Sequence, residues 1–282
     1  MNTLVPKIKY LTNKDLLAAI HASKLTFCSF VDDKYKNYDI IATSLDLVTM
    51  DTLQAARQKK LMDHQIEQKK QSQNKSFEST LTVDDFPLEE IVVRLMTFEH
   101  VPVDSNPIKQ ARAKTVADRH IRCQFPPFQH YVWQNQTWIC VGKSHWQGGL
   151  INGHFNLDHG RITNQLGAMW MKLVERYGHR GNWRGYSYLD EMRAQALMQL
   201  SQVGLQFDES KSSNPFSYYT QVVATSFLKI LSTEKKNQSI RDDLLIMNDS
   251  SPSHTRQVED QLQQRAENQA SNTVNLPTGA VL

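Results

Sequence analysis

Cysteine is scarce: three in 282 residues, Cys28, Cys123 and Cys140, odd in number and widely spaced. Disulfide-framed scaffolds need paired cysteines, so this set excludes that class and fits a reducing compartment. Long apolar runs are absent too. None approaches the roughly 20 residues that cross a bilayer, and no charged-then-apolar leader opens the chain, so the expectation is a soluble cytosolic protein with no membrane partner. Charge of one sign is also lacking: 32 Lys and Arg against 29 Asp and Glu leave a formal net charge of +3. That balance marks no nucleic-acid binder by itself, and any basic surface must come from local clustering. No phosphate-binding Gly-rich loop is present, and no Ser-His-Asp order can be assigned. What remains is 40% hydrophobic residues, enough for a core in one large or two small domains.

Periodicity divides the chain into five stretches. Residues 1–50 hold a short amphipathic helix from Tyr10 to Lys24, with Thr12 and Asn13 as caps and Leu16, Leu17 and Ile20 on one face, then extended segments at Thr26–Phe30 and Tyr38–Ile41. Residues 51–85 read as an exposed Gln- and Lys-rich helix running into a linker at Gln71–Lys75. In 86–160 an apolar stretch from Leu88 to Phe98 should pack. Tyr131–Trp133 and Thr137–Val141 flank Gln134-Asn135-Gln136 as a β-hairpin, so this insert is mixed α/β.

Residues 161–245 carry three helices, which makes the fold class mainly α. The first has the stripe Ile162, Leu166, Met169, Trp170, Leu173 and Tyr177. The second follows a capping box of Ser187 and Asp190, with Leu189, Met192, Ala196, Leu200 and Val203 buried. The third opens at Asn214-Pro215, an N-cap and first-turn pair, and buries Phe216, Tyr219, Val223, Phe227 and Ile230. Residues 246–282, polar from Asp249 onward, are expected to be a disordered tail because they cannot bury enough surface to offset chain entropy.

On the third helix, Tyr218, Val222, Thr225, Ser226 and Lys229 share the face off the buried stripe, with Lys235, Lys236 and Arg241 beyond and Lys211 just before the helix. Such a face is either a solvated polar surface or a nucleic-acid surface where a ring stacks on an unpaired base and lysines follow the phosphates. The turn Gly181-Asn182-Trp183-Arg184-Gly185-Tyr186 offers Arg180 and Arg184 to phosphate, or is simply pinned by a buried Trp.

The run Phe207-Asp208-Glu209-Ser210-Lys211-Ser212-Ser213-Asn214-Pro215-Phe216-Ser217-Tyr218-Tyr219-Thr220 resembles the signature where sigma regions 2.3 and 2.4 begin. Gly185–Met192, leading into Ala196–Leu200, is similar to the preceding region 2.1–2.2 helices, and Lys9–Ile20 to the opening of late-transcription sigma factors of T4-type bacteriophages. The likeness covers about 80 contiguous residues plus that opening, and it rests on the order of the motifs.

The resemblance implies a sigma region 2-like helical bundle and a non-catalytic initiation factor working in the cytoplasm of an infected bacterial host. Asp190, Glu191, Arg193, Gln195, Met198 and Gln199 would dock on the clamp coiled-coil of the host RNA polymerase core. Tyr218, Tyr219, Val222, Thr225, Ser226 and Lys229 would lie near a −10-like promoter element, with Lys235, Lys236 and Arg241 on phosphates. Tyr219, on the buried stripe, is read as core.

The sequence departs from the family at two points. Val222-Val223 stands where many sigma factors carry a Trp pair, and Asn275–Leu282 lacks the family's clamp-binding peptide, so clamp coupling is not carried over on these residues, although the resemblance implies a phage co-activator and sliding clamp as further partners. No second helix-turn-helix follows residue 240, so −35 recognition is not expected. A zinc site from His120, Cys123, Cys140 and His145 matches no trusted spacing, and a His-Asn-His nuclease from His154, Asn156 and His159 lacks further ligands. No catalytic residue, metal or cofactor is expected. The alternatives are a polymerase-binding regulator without promoter recognition and, behind it, a metal-dependent nuclease.

Overall fold

The computed structural model describes residues 11–71 and 81–274. The readings of residues 9 and 10, 72–75 and 275–282 therefore lie outside the described residues. Helix α1 (Asn13–Leu25) starts where expected, its cap Thr12 accepting from the Asp15 N–H, and Leu16 and Ile20 are fully buried. The chain continues through β1 (Cys28–Phe30), β2 (Ile40–Ala42), α2 (Met50–Gln71), β3 (Val92–Met96), α3 (Pro107–Arg112), α4 (Val116–Arg119), β4 (Phe128–Gln134) and β5 (Thr137–Ser144). After β6 (Trp146–Gln147) and β7 (His154–Phe155) come α5 (Asn164–Gly178), α6 (Leu189–Val203), α7 (Pro215–Met247) and α8 (His254–Val274). The fold is mainly helical with a sheet lobe.

The five-stranded sheet runs β1-β5-β4-β3-β2, antiparallel except for the parallel β2–β3 pair. The expected hairpin is β4–β5. Asn135 and Gln136 at its tip have φ of 50° and 61°, the pair of left-handed residues that matches strand twist in a two-residue turn. The apolar stretch after Leu88 becomes β3, whose Val92, Val93, Arg94 and Leu95 are buried.

Helices α1, α5, α6 and α7 share one core, in which Leu166, Met192, Ala196, Leu200, Tyr219, Val223 and Phe227 have essentially no exposure. Phe27, Phe125 and Phe128 reach into the same core from the sheet lobe. That lobe is an excursion from the helical body. The Thr26 hydroxyl donates to the Arg161 carbonyl at 3.0 Å and accepts from the Arg161 N–H at 2.8 Å, while Ser23 Oγ accepts from the Thr163 N–H at 3.1 Å, so residues 27–160 leave and return at one point. A buried ion pair adds to the junction: Lys24 Nζ meets Glu209 Oε2 and the Phe207 carbonyl, each at 2.7 Å.

Three expectations are corrected. Helix α6 begins after Tyr188 with no side-chain cap, because Tyr186 packs between Trp183 and Tyr188 and sets the start, leaving Asp190 to pair with Arg193. Phe216 is 42% exposed, since it sits in the first turn of α7 at the end of the bundle. The tail expected to be disordered from Asp249 contains helix α8. Its Gln, Glu, Arg and Ala content favours local helix without burial, and Asp242 anchors its start by accepting from the Ser253 N–H and Oγ at 2.8 and 2.7 Å.

Candidate functional site

The site read from sequence spans α6, α7 and the loop between them. Asn214 caps α7, its Oδ1 accepting from Ser217 N at 3.1 Å; Phe216 N donates to Asn13 Oδ1 at 3.1 Å, tying the helix start to α1. In the loop, Lys211 pairs with Asp208 at 3.1 Å and is otherwise exposed. Burial opposes ionisation of Asp208, but hydrogen bonds from Ser210 and Lys211 outweigh it and hold the carboxyl below its ordinary value.

Only part of the expected α7 face reaches solvent. Thr225, Lys229 and Lys236 are exposed and, at about 100° per residue, fall within roughly 40° of one another. Lys235 and Arg241 are exposed but point elsewhere, and Lys235 lines a recess with Gln238, Asp242 and Arg256 near the start of α8. Ser226 does not belong to the face. It is 3% exposed with its hydroxyl donated to the Val222 carbonyl, because it falls on the same arc as Tyr219 and Ile230. Val222 is half-buried against the main core.

The tyrosines are internal to different degrees. Tyr219 is fully buried, donates to the Gly204 carbonyl at 3.0 Å and meets Trp170 edge-on at 5.7 Å, as the core reading requires; burial pushes its pKa up. Tyr218 is half-buried, donates to the Val203 carbonyl at 2.7 Å and packs on Phe207, so its ring is tethered to the bundle. Between exposed Arg180 and Arg184, Trp183 is buried against Phe227 and Tyr177, and Arg180 lies 4.3 Å from the Tyr177 ring. The turn is therefore pinned by a buried Trp and also presents two arginines.

On α6, Glu191, Gln195 and Met198 share one arc away from the buried stripe, with Met198 49% exposed, while Gln199 is half-buried and falls beside Met192 at the edge of that stripe. Asp190 and Arg193 fall outside it. Arg193 is half-buried, paired with Asp190 at 3.1 Å and laid against Gly178, where a Cβ would come within 2.9 Å of its Nε. Sequence reading missed a groove of about 90 Å³ between α5 and the start of α7, where Arg176 and Arg180 stand beside Phe216 and Thr220. Arg176 lies in the last turn of α5 and Arg180 in the extended link that follows, so no helical spacing in the sequence signalled their meeting.

Among the described residues, no group of three or more His, Cys, Asp or Glu side chains is placed to hold a metal. Burial pushes the Cys123 thiol up to about 11 and raises that of Cys140, His120 Nδ1 is taken by the Val116 carbonyl, and His159 packs edge-on to Phe27. No helix of the described residues is long and apolar enough to cross a membrane. No family model, curated protein or solved structure matches the chain.

Proposed function

We propose that the chain is a phage-encoded, sigma-like initiation factor that binds the host RNA polymerase core and directs it to late promoters through a −10-like element, without catalysis, in the cytoplasm of the infected cell. The observation that carries this reading is the pair α6–α7. One helix offers a Glu191/Gln195/Met198 surface suited to a protein partner, and the next, joined by the Phe207–Asn214 loop, offers a strip of Thr225 with the cations Lys229 and Lys236. Arg180 and Arg184 add positive charge at the end of α5. Lysines spaced in this way neutralise phosphates and orient a duplex without reading its bases.

Tyr218 and Ser226 favour a second reading, a regulator that binds polymerase but does not recognise promoters. Both side chains are committed to contacts inside the bundle, and with Val222-Val223 in place of a Trp pair the strip lacks a free ring to stack on an opened base. Run-off transcription by host core polymerase, with and without the protein, on phage promoters bearing an A·T-rich −10-like element separates the two. Promoter-dependent transcripts support the sigma-like reading; core binding without them replaces it with the regulator.

A further inference from the structure

The small core between α2 and the sheet is open on one side. Leu53, Ala56, Ile91 and Val93 are buried there, whereas Ile40, Ala42 and Val48, packed on the same cluster, are only half-buried. These three line a cleft of about 330 Å³ whose rim carries Leu47, 66% exposed, and whose wall includes Glu209 of the α6–α7 loop.

The strand along this cleft is a sheet edge. Among the described residues, β2 has β3 as its one strand neighbour. Backbone groups alternate sides along a strand. The Thr97 N–H donates to the Pro127 carbonyl, so Val93 and Leu95 face β4 and Arg94 faces β2. Opposite Ile41 in a parallel pair, Arg94 bonds to Ile40 and Ala42, which leaves the groups of Ile41 facing outward. Exposed edges are commonly blunted by lysine, proline or a bulge, but β2 is Ile-Ile-Ala.

Glu209 supplies a second, independent feature. Its side chain is 9% exposed, one oxygen holds Lys24, and Oε1 is buried with no hydrogen-bond partner among the described residues. A buried acceptor left unpaired is costly, so a donor reaching it recovers that cost. Asp46, exposed next to Leu47 in the chain, adds negative charge at the rim.

We propose that this cleft binds an extended peptide of alternating aliphatic and basic residues, which adds a strand to the open edge of β2, covers Ile40, Ala42 and Val48, and donates from a lysine or arginine to Glu209. Strand addition takes affinity from main-chain bonds and specificity from alternate side chains, which is the division this site offers. The inference stands apart from the sigma-like reading, since it uses neither the α7 strip nor the α6 surface.

The test titrates the full chain, labelled with ¹⁵N, with a capped peptide of about eight alternating lysine and valine residues and with its glutamate–valine counterpart. The lysine peptide is expected to shift the amides of Ile40–Thr43 and to bind at least about tenfold more tightly than the glutamate peptide. Ile41→Pro removes an outward N–H while sparing the β3 ladder, and should lose binding at an unchanged melting temperature. Should that variant unfold, Leu47→Arg, on an exposed rim residue, is expected to weaken the lysine peptide through added positive charge. No binding, equal affinity for the two peptides, shifts confined to other elements, or unchanged affinity in the folded variant would overturn the proposal.

Discussion

At Gly204 the backbone, Trp170 and Tyr219 meet so closely that no side chain fits: a Cβ would lie 2.2 Å from the Trp170 ring, and the Gly204 carbonyl accepts the Tyr219 hydroxyl. Overpacking of this kind costs about 1–3 kcal/mol, so Gly204→Ala should lower the urea midpoint by a corresponding amount. Lys24 is a sterner case. It is 1% exposed and bonded to Glu209 and the Phe207 carbonyl, and removing one partner of a buried pair leaves the other charged and unpaired. Lys24→Ala is expected to destabilise by about 3–5 kcal/mol, measured by the same denaturation. Sequence spacing identified Tyr219 as core because its position repeats with Val223 and Phe227. The same spacing misplaced Ser226: a small hydroxyl that bonds back to the preceding turn can occupy the buried arc at little cost, so its polarity said nothing about its direction.

Among the elements, helices with strong stripes or caps were legible: α1 and α7 begin on the expected Thr12 and Asn214, each with its side-chain bond in place, and α5 was legible from its stripe alone, its cap Thr163 emerging only in the structure. Asn214→Ala should cost about 1 kcal/mol, read from the same unfolding curves. The β4–β5 hairpin was legible for a similar reason, its turn being local. The parallel β2–β3 pair was not, because it joins residues about fifty apart through α2, and no local signal encodes which edge a short apolar segment will take. The length of α7 matters for function. Helical drift carries Lys235 and Arg241 away from Lys229 and Lys236, which splits the cations into separate directions. Lys229→Ala with Lys236→Ala should therefore weaken promoter DNA binding across sequences and reduce the salt slope by roughly 0.9 for each phosphate no longer neutralised, whereas Lys235→Ala should leave the slope unchanged. Filter binding over a salt series distinguishes them.

For the whole molecule, the junction between sheet and bundle is built around histidines that stay neutral. Burial lowers His21 and His100 to about 4 and His145 to about 3, and burial together with the Arg94 guanidinium holds His130 well below its ordinary value. Arg94 itself, 1% exposed, donates to His130 and contacts His21, with its guanidinium between the Tyr38 and Phe128 rings. Below about 6.5 the unfolded chain takes up protons at these positions while the folded chain does not, so stability is full above that pH and falls as the solution is acidified toward about 4. Urea midpoints measured from pH 7.5 to 4.5 should decline through this window, and a flat profile would mean that these rings protonate without unfolding. The point where the sheet lobe departs and returns has a genealogical meaning as well. With Thr26 and Arg161 hydrogen-bonded to each other, a chain lacking residues 27–160 could pass from α1 to α5 across a gap already closed, without re-routing any helix. A lobe attached in this manner can be acquired, lost or exchanged in one step, provided that the faces left by Phe27, Phe125 and Phe128 are refilled.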